Sequence, residues 1–185
     1  MSEDVAAALT VRAATVADAR AIAAVHRDSW RSTYAGILPL AVIAREAGRR
    51  SEASWRKRLA VKHADSATWM AERGGHGVVG FASCGPSRAP LEGLGAEVYA
   101  LYVLQAHQRR GVGRELMRAC ARHFARRGIF GMYLWVLKAN RARFFYEALG
   151  GQEIAAKTER LGQHEYAEIA YGWHDLTALA LGPPA

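Results

Sequence analysis

EVYALYVLQAHQRRGVGRELM, residues 97–117, decides the fold of this chain. Residues 96–104 (AEVYALYVL) are rich in β-branched and aromatic side chains and read as the strongest strand in the sequence. After QRRGVG (residues 108–113) the pattern becomes helical over residues 111–127, with Gly128 suited to a left-handed C-terminal position. Val112, Leu116, Cys120 and Phe124 line one face of that helix. Arg114, Arg118, Arg122 and Arg126 are each offset by two residues, about 200° at helical periodicity, and form the opposite face. The first turn of a helix carries N–H groups without intrahelical partners, and its dipole adds partial positive charge. Glycines at 111 and 113 remove Cβ atoms, so an anionic group can approach that backbone closely. Arg109, Arg110 and Arg114 add charge-assisted contacts. The loop lacks the third glycine of a dinucleotide fingerprint and the Lys-Ser/Thr ending of a P-loop. Alone, it indicates an anion held at a helix N-terminus.

Working outward, residues 9–12 read as a strand and 16–29 as a helix with Ala19, Ile22, Ala23 and Val25–His26 on one stripe. WRSTYAGILP (residues 30–39) interrupts the pattern with Gly36 and Pro39, and a second helical region covers residues 40–61. TWMAER (68–73) and VVGFASCG (78–85) are strands joined through the turn GGHG. A loop with Pro86, Pro90, Gly93 and Gly95 leads into the central strand. Further on, MYLWVL (132–137) is a buried strand. Asn140 caps a helix running to Leu149, and strands follow near Ile154 and over 166–173. The whole predicts one α+β domain, with helices flanking a mixed sheet, over residues 1–176, and a frayed tail over 177–185.

Composition narrows the partners. The 185 residues are 51% hydrophobic and 23% charged, as in a globular protein with one sizeable core. No apolar run is long enough to cross a bilayer, and the N-terminus carries no basic-then-apolar signal, so a cytoplasmic location and no membrane partner are expected. Cys84 and Cys120 form no CxxC pair and read as inert buried thiols, and the seven histidines show no ligand spacing; no metal is expected. The net charge of +8 favours anionic partners. Between residues 105 and 127 seven arginines stand against one acid, Glu115, which concentrates the excess beside the glycine loop.

The segment around QRRGVG resembles the Q/R-x-x-G-x-G/A signature of the Gcn5-related N-acetyltransferase (GNAT) superfamily. NRARFFYEALGG (residues 140–151) is similar to that superfamily's N-x-x-A-x-x-F-Y-x-x-x-G segment, with Arg143–Phe144 where x–x often stands. The two motifs share the family's order and separation, and the likeness is specific over residues 96–151. It implies a bacterial small-molecule type of enzyme, with a splayed sheet opening between the strands at 96–104 and 132–137. Acetyl-CoA would be the cosubstrate. Backbone groups of Tyr102 and Val103 would bind its pantetheine arm. Gln108, Arg109, Arg110, Gly111, Val112, Gly113 and Arg114 would hold its diphosphate, and Asn140 would contact its pantetheine or phosphate end.

Acetylating an amine requires a base for the ammonium, donors for the oxyanion and a proton for the thiolate. Glu97, eleven residues before Gln108, matches the superfamily's general base; burial would raise its pKa into a useful range. Period-two alternation puts Glu97, Tyr99, Leu101 and Val103 on one face. The competing reading is an ordinary strand-end glutamate. Tyr146 corresponds to the tyrosine that protonates the coenzyme A thiolate, against a reading as a helix aromatic packing beside Phe145 and Leu149. Cys84 has no His–acid partner and is the poorer nucleophile. WRSTYAGILP resembles the WRxTYxGxLP pattern of a bacterial subgroup that includes polyamine acetyltransferase-like proteins. Trp30 and Tyr34 either wall a small amine or pack their loop onto the sheet. Only Asp28 and Glu46 are nearby acids, which argues against a polycation. The expected function is direct acetyl transfer to a small-molecule amine in a ternary complex, with no nucleic acid and with a homodimer left open. The alternatives are an acyl-CoA-sensing module without turnover and acetylation of a protein or peptide amine.

Overall fold

A computed structural model describes residues 8–61 and 63–181. The chain forms β1 (Leu9–Ala13), a 3-10 turn at Val16–Asp18, α1 (Ala19–Tyr34), α2 (Leu40–Arg49), α3 (Glu52–Ala60), β2 (Ala67–Arg73), β3 (Gly77–Pro86) and β4 (Ala96–Val103). After a second 3-10 turn at Gln105–His107 come α4 (Val112–Ala125), β5 (Met132–Leu137), α5 (Arg143–Ala148), β6 (Gln152–Leu161), β7 (His164–Trp173) and α6 (Thr177–Leu181). One seven-stranded sheet has the order β1-β2-β3-β4-β5-β7-β6, antiparallel except for the parallel pair β4–β5. The α+β fold with a mixed sheet between helices is the expected one.

Two apolar helix stripes fix the layers. In α4, Val112, Leu116, Met117, Cys120, Ala121 and Phe124 are buried in the main core with Ala96, Val98 and Leu134 of the sheet. In α1, Ile22, Ala23, Val25, Trp30 and Tyr34 point to the other face. Burying a side chain such as Phe124 contributes about 1.5–3 kcal/mol. Helix α1 runs five residues past the expected end, because nothing in WRSTY breaks a helix before Gly36. The helical region expected over 40–61 is two helices. The chain turns at Arg50, and Ser51 restarts it by accepting the Ser54 N–H on its hydroxyl at 3.2 Å. The expected tail is ordered over its first five residues. In α6, Leu179 and Ala180 are buried, and Arg122 Nε donates to the Ala180 carbonyl at 2.8 Å. Residues 1–7 and 182–185 lie outside the described residues.

Two irregularities in β4 create the site. First, β4 and β5 pair only at Ala96↔Met132 and Glu97↔Tyr133, after which they diverge. Second, Ser83 pairs with Ala100 and Cys84 with Val98, so Tyr99 is an extra residue in β4, a β-bulge. The bulge reverses the side-chain alternation. Leu101 and Val103 pack into the α4 core with Ala96 and Val98, while Ala100, Tyr102 and Leu104 pack on the α1 side. The simple alternation expected for Glu97, Tyr99, Leu101 and Val103 therefore holds only as far as Tyr99.

Candidate active site

The divergence of β4 from β5 leaves one edge of β4 open. Leu104 N–H donates to Val79 O at 2.9 Å. In an antiparallel ladder alternate residues turn their polar groups to the same neighbour. Tyr102 and Ala100 therefore face β3, whereas Leu101 and Val103 face the opening. Gln108 Nε2 reaches the Val103 carbonyl at 3.1 Å from that side. Of the expected pair, Val103 has its polar groups on the open edge, beside those of Leu101, whereas those of Tyr102 face β3. Tyr102 instead contributes its ring, packed against His26 (centroids 4.7 Å apart) and Phe81 (5.8 Å).

At the end of the opening, the N–H groups of residues 109–114 make no hydrogen bond to any described acceptor, and the first bond of α4 is Glu115 N–H to Gly111 O at 3.1 Å. Six consecutive unpartnered N–H groups thus lead into a helix N-terminus, beside the exposed side chains of Arg109, Arg110 and Arg114. The loop's shape has two separate causes. Gly111 sits at φ 81, a left-handed conformation that L side chains adopt only under strain, and Arg109 adopts φ 58 at a cost of about 1–2 kcal/mol. Gly113 makes room for close packing: a Cβ there would meet the Phe145 ring at 3.0 Å, so the ring would have to give by a few tenths of an ångström. The two sequence motifs touch at that point. Asn140 is buried and accepts the Ala142 N–H at 2.9 Å, a local turn that leads into α5 rather than a cap on its first turn.

Glu97 lies where β4 and β5 still pair, and it is 2% exposed. Its Oε2 accepts from Arg88 Nε at 3.0 Å, the Arg88 backbone N–H at 3.2 Å and the Tyr133 hydroxyl at 2.8 Å, while Oε1 accepts from Arg88 Nη2 at 2.5 Å. Four donors occupy this carboxylate, and Arg88 continues over the Tyr99 ring at 4.3 Å. Tyr146 is buried in α5 beside Tyr171 and Trp173. Burial, and then the nearby Tyr34 hydroxyl, raise its pKa above the ordinary phenol value, so it is a neutral donor at any working pH. Trp30 and Tyr34 are stacked 4.1 Å apart and buried with Leu38, Val42, Ile43 and Leu137. They pack α1 and α2 against the sheet.

Beside the bulge, on the α1 side, the structure shows a cavity of about 270 Å³. Tyr99, Ala100 and Tyr102 of β4 line it together with His26, Ser54 and Trp55, and its charged lining is Arg49, Arg50, Arg58, Arg88 and Glu46. Burial, followed by the charges of Arg50 and Arg58, pushes the His26 imidazole down to about 3, so it is neutral. Of these residues, Glu46, His26, Tyr99 and Tyr102 carry readings from the sequence, as a nearby acid, a helix-stripe residue, a strand residue and a cofactor contact, whereas the four arginines carry none. The arginines come from α2, the α2–α3 turn, α3 and the β3–β4 loop, and no local spacing unites them.

Among the described residues no helix is long and apolar enough to cross a membrane, and no group of three or more His, Cys, Asp or Glu side chains is placed to hold a metal ion. Cys84 and Cys120 are free and buried; hydrogen bonding with Cys84 and then burial push the Cys120 thiol well up.

A mixed sheet that splays between its two parallel strands, with a cradle of free amides at the end of the gap, defines an acyl-CoA-dependent transferase architecture. The chain belongs to the acetyltransferase (GNAT) family, which it matches over residues 22–151, and acetyl-CoA-dependent transfer to an amine is the activity of that family. It is 34% identical over 171 residues to YuaI, an uncharacterised N-acetyltransferase of Bacillus subtilis, covering 92% of this chain and 96% of that one. It is 30% identical over 141 residues to a probable N-acetyltransferase of Mycobacterium tuberculosis, covering 75% and 77%. Among solved structures, the PaiA N-acetyltransferase of Thermoplasma acidophilum in complex with coenzyme A superposes with a TM-score of 0.68 at 19% identity, over 88% of this chain and 98% of that one. The acetyltransferase yncA of Salmonella typhimurium with acetyl-CoA gives 0.61 at 24% identity, over 96% and 99%.

Proposed function

We propose that this protein transfers the acetyl group of acetyl-CoA directly to the amine of a small molecule, with both substrates bound together. The observation that carries the reading is the run of six unpartnered amides, residues 109–114, at the end of the opened β4 edge. Arg109, Arg110, Gly111, Val112, Gly113 and Arg114 hold the diphosphate, and Gln108 braces the Val103 carbonyl behind it. The pantetheine amides extend the sheet along Leu101 and Val103. The Leu101 N–H, next to the bulge, is positioned to donate to the thioester oxygen as it becomes an oxyanion.

The amine attacks the thioester carbon, the carbon–sulphur bond breaks, and the proton lost by the amine ends on the sulphur of coenzyme A. Tyr146 serves the leaving group. A phenol raised above about 10 is a weaker acid than a thiol near about 8.5, so its share is a hydrogen bond to the nascent thiolate rather than permanent loss of its proton. The four donors on Glu97 favour a positioning role: it fixes Arg88 at the acceptor cavity. The size of that cavity supports a small acceptor.

The test is release of free thiol from acetyl-CoA in the presence of amino acids, polyamines, aminoglycosides and peptides, with the acetylated product identified by mass. Transfer to at least one small amine is expected. Tight coenzyme A binding without transfer to any amine would leave a sensing module as the better reading, and transfer to peptide amines alone would move the acceptor to a protein.

A further inference from the structure

The cavity beside the bulge carries more information than its volume, because its charge is one-sided. Four arginines meet one carboxylate, Glu46. That carboxylate is already engaged, by Arg49 at 3.0 Å and Arg50 at 3.2 Å. Arg50 is further fixed by its contact with His26 at 2.9 Å and by stacking on Trp30 at 3.6 Å. Arg88 is held by Glu97 with its guanidinium over Tyr99. Arg58 has no carboxylate partner among the described residues and packs over Trp55 at 5.1 Å. Partial burial and the like charges of Arg88 and Arg50 lower its pKa. A polyamine would bring further positive charge into this ring and meet no free acid.

Resting on the transferase reading above, we propose that the acceptor is a small amine that itself carries a carboxylate or another forked oxyanion, held by Arg58 with Arg50 and Arg88 while its amine lies beside Tyr99 and Tyr102. A guanidinium fork matches such a group in a bidentate way that an ammonium or a neutral group does not. The same field acts on the amine: positive charge nearby disfavours the ammonium and favours the neutral nucleophile. The site then needs no dedicated carboxylate base, in keeping with the occupied oxygens of Glu97.

The experiment compares matched acceptors in the thiol-release assay: amino acids, the same compounds decarboxylated, their carboxamides and the corresponding aminophosphonates. The expected result is a kcat/KM at least about tenfold higher for the anionic member of each pair, with the phosphonate arm showing whether the fork demands a planar carboxylate. Arg58→Gln should raise KM for the anionic acceptors by about ten- to hundredfold, with an unchanged melting temperature checking that the fold is kept. It should leave KM for acetyl-CoA unchanged, and Arg58→Lys should restore only part of the loss. Equal or better use of decarboxylated amines or polyamines would overturn the proposal while leaving the transferase intact. Absence of transfer to every amine would overturn the transferase reading instead, and the proposal with it. An Arg58→Gln enzyme with unchanged acceptor KM would also overturn it.

Discussion

The two cationic regions of this molecule, the amide cradle at residues 109–114 and the arginine-lined cavity beside Tyr99, attract anions by opposite means. The cradle uses backbone. Its donors are contiguous, its shape is set by two glycines, and its side chains are exposed. The cavity uses guanidinium groups carried to one place by four separate segments. A backbone cradle reads a feature common to its ligands, the diphosphate, and tolerates nothing that alters φ. A ring of side chains reads the particular acceptor and can be altered one residue at a time. On the proposed function, the donor half of the reaction would rest on backbone shared by every turnover, and the acceptor half on side chains that can be changed singly.

The largest expected effect lies where the two regions meet. Tyr146→Phe should lower kcat by about a hundredfold or more while leaving the coenzyme A dissociation constant unchanged, measured by steady-state kinetics and calorimetry on the same preparation. An unchanged kcat would remove the phenol from the reaction. Next is the cradle itself. Gly111→Val places a β-branched residue at φ 81 and should weaken coenzyme A binding by about ten- to hundredfold, with little change in acceptor preference. If acceptor preference shifts as much as cofactor affinity, the separation drawn above is wrong.

A smaller effect is expected at Glu97. Glu97→Gln loosens Arg88 and should raise the acceptor KM by about three- to tenfold while leaving the alkaline limb of the pH–rate profile in place; a flattened limb would return Glu97 to the role of base. The smallest concerns stability. His26 titrates near 6.5 when unfolded and is pushed down to about 3 when folded. Between those values the unfolded chain binds more protons, so stability is fully present above about 6.5 and declines as pH falls toward 3. Urea titrations at pH 7 and pH 5 should differ by at most about 2 kcal/mol from this group, and His26→Gln should shrink the difference. His107 and His123 are pushed the same way, chiefly by burial, so some slope will remain.

What the sequence disclosed follows the same division. β4, the glycine loop and α4 were legible because each rests on local physics: strand propensity, helix-terminal amides, an apolar stripe; the Phe145–Tyr146 pair stood out only through the family resemblance. The break between α2 and α3 was also within reach, since Ser51 followed by Glu52 is a helix-start signal inside a pattern otherwise read as continuous. The bulge at Tyr99 was not, because no glycine or proline marks it and its evidence is a register shift against Ser83 and Cys84. The arginine cavity was hidden for a related reason. Arg58 and Arg88 are thirty residues apart, and Glu97's partner sits in a loop whose path only the folded sheet decides. Trp30 and Tyr34 read as a pair in the sequence, and the fold buries both in one cluster.

The contact between Gly113 and Phe145 has a practical meaning for anyone who wishes to redirect this protein. Phe145 stands next to Tyr146 on α5 and lies against the first turn of α4, so a change at residue 113 would be felt on the element that carries the phenol. Changes confined to Arg58 and its neighbours leave that contact untouched. A library built on the cavity lining should therefore yield enzymes that keep their appetite for the donor while exploring new acceptors, whereas bulk added at residue 113 would affect every member alike.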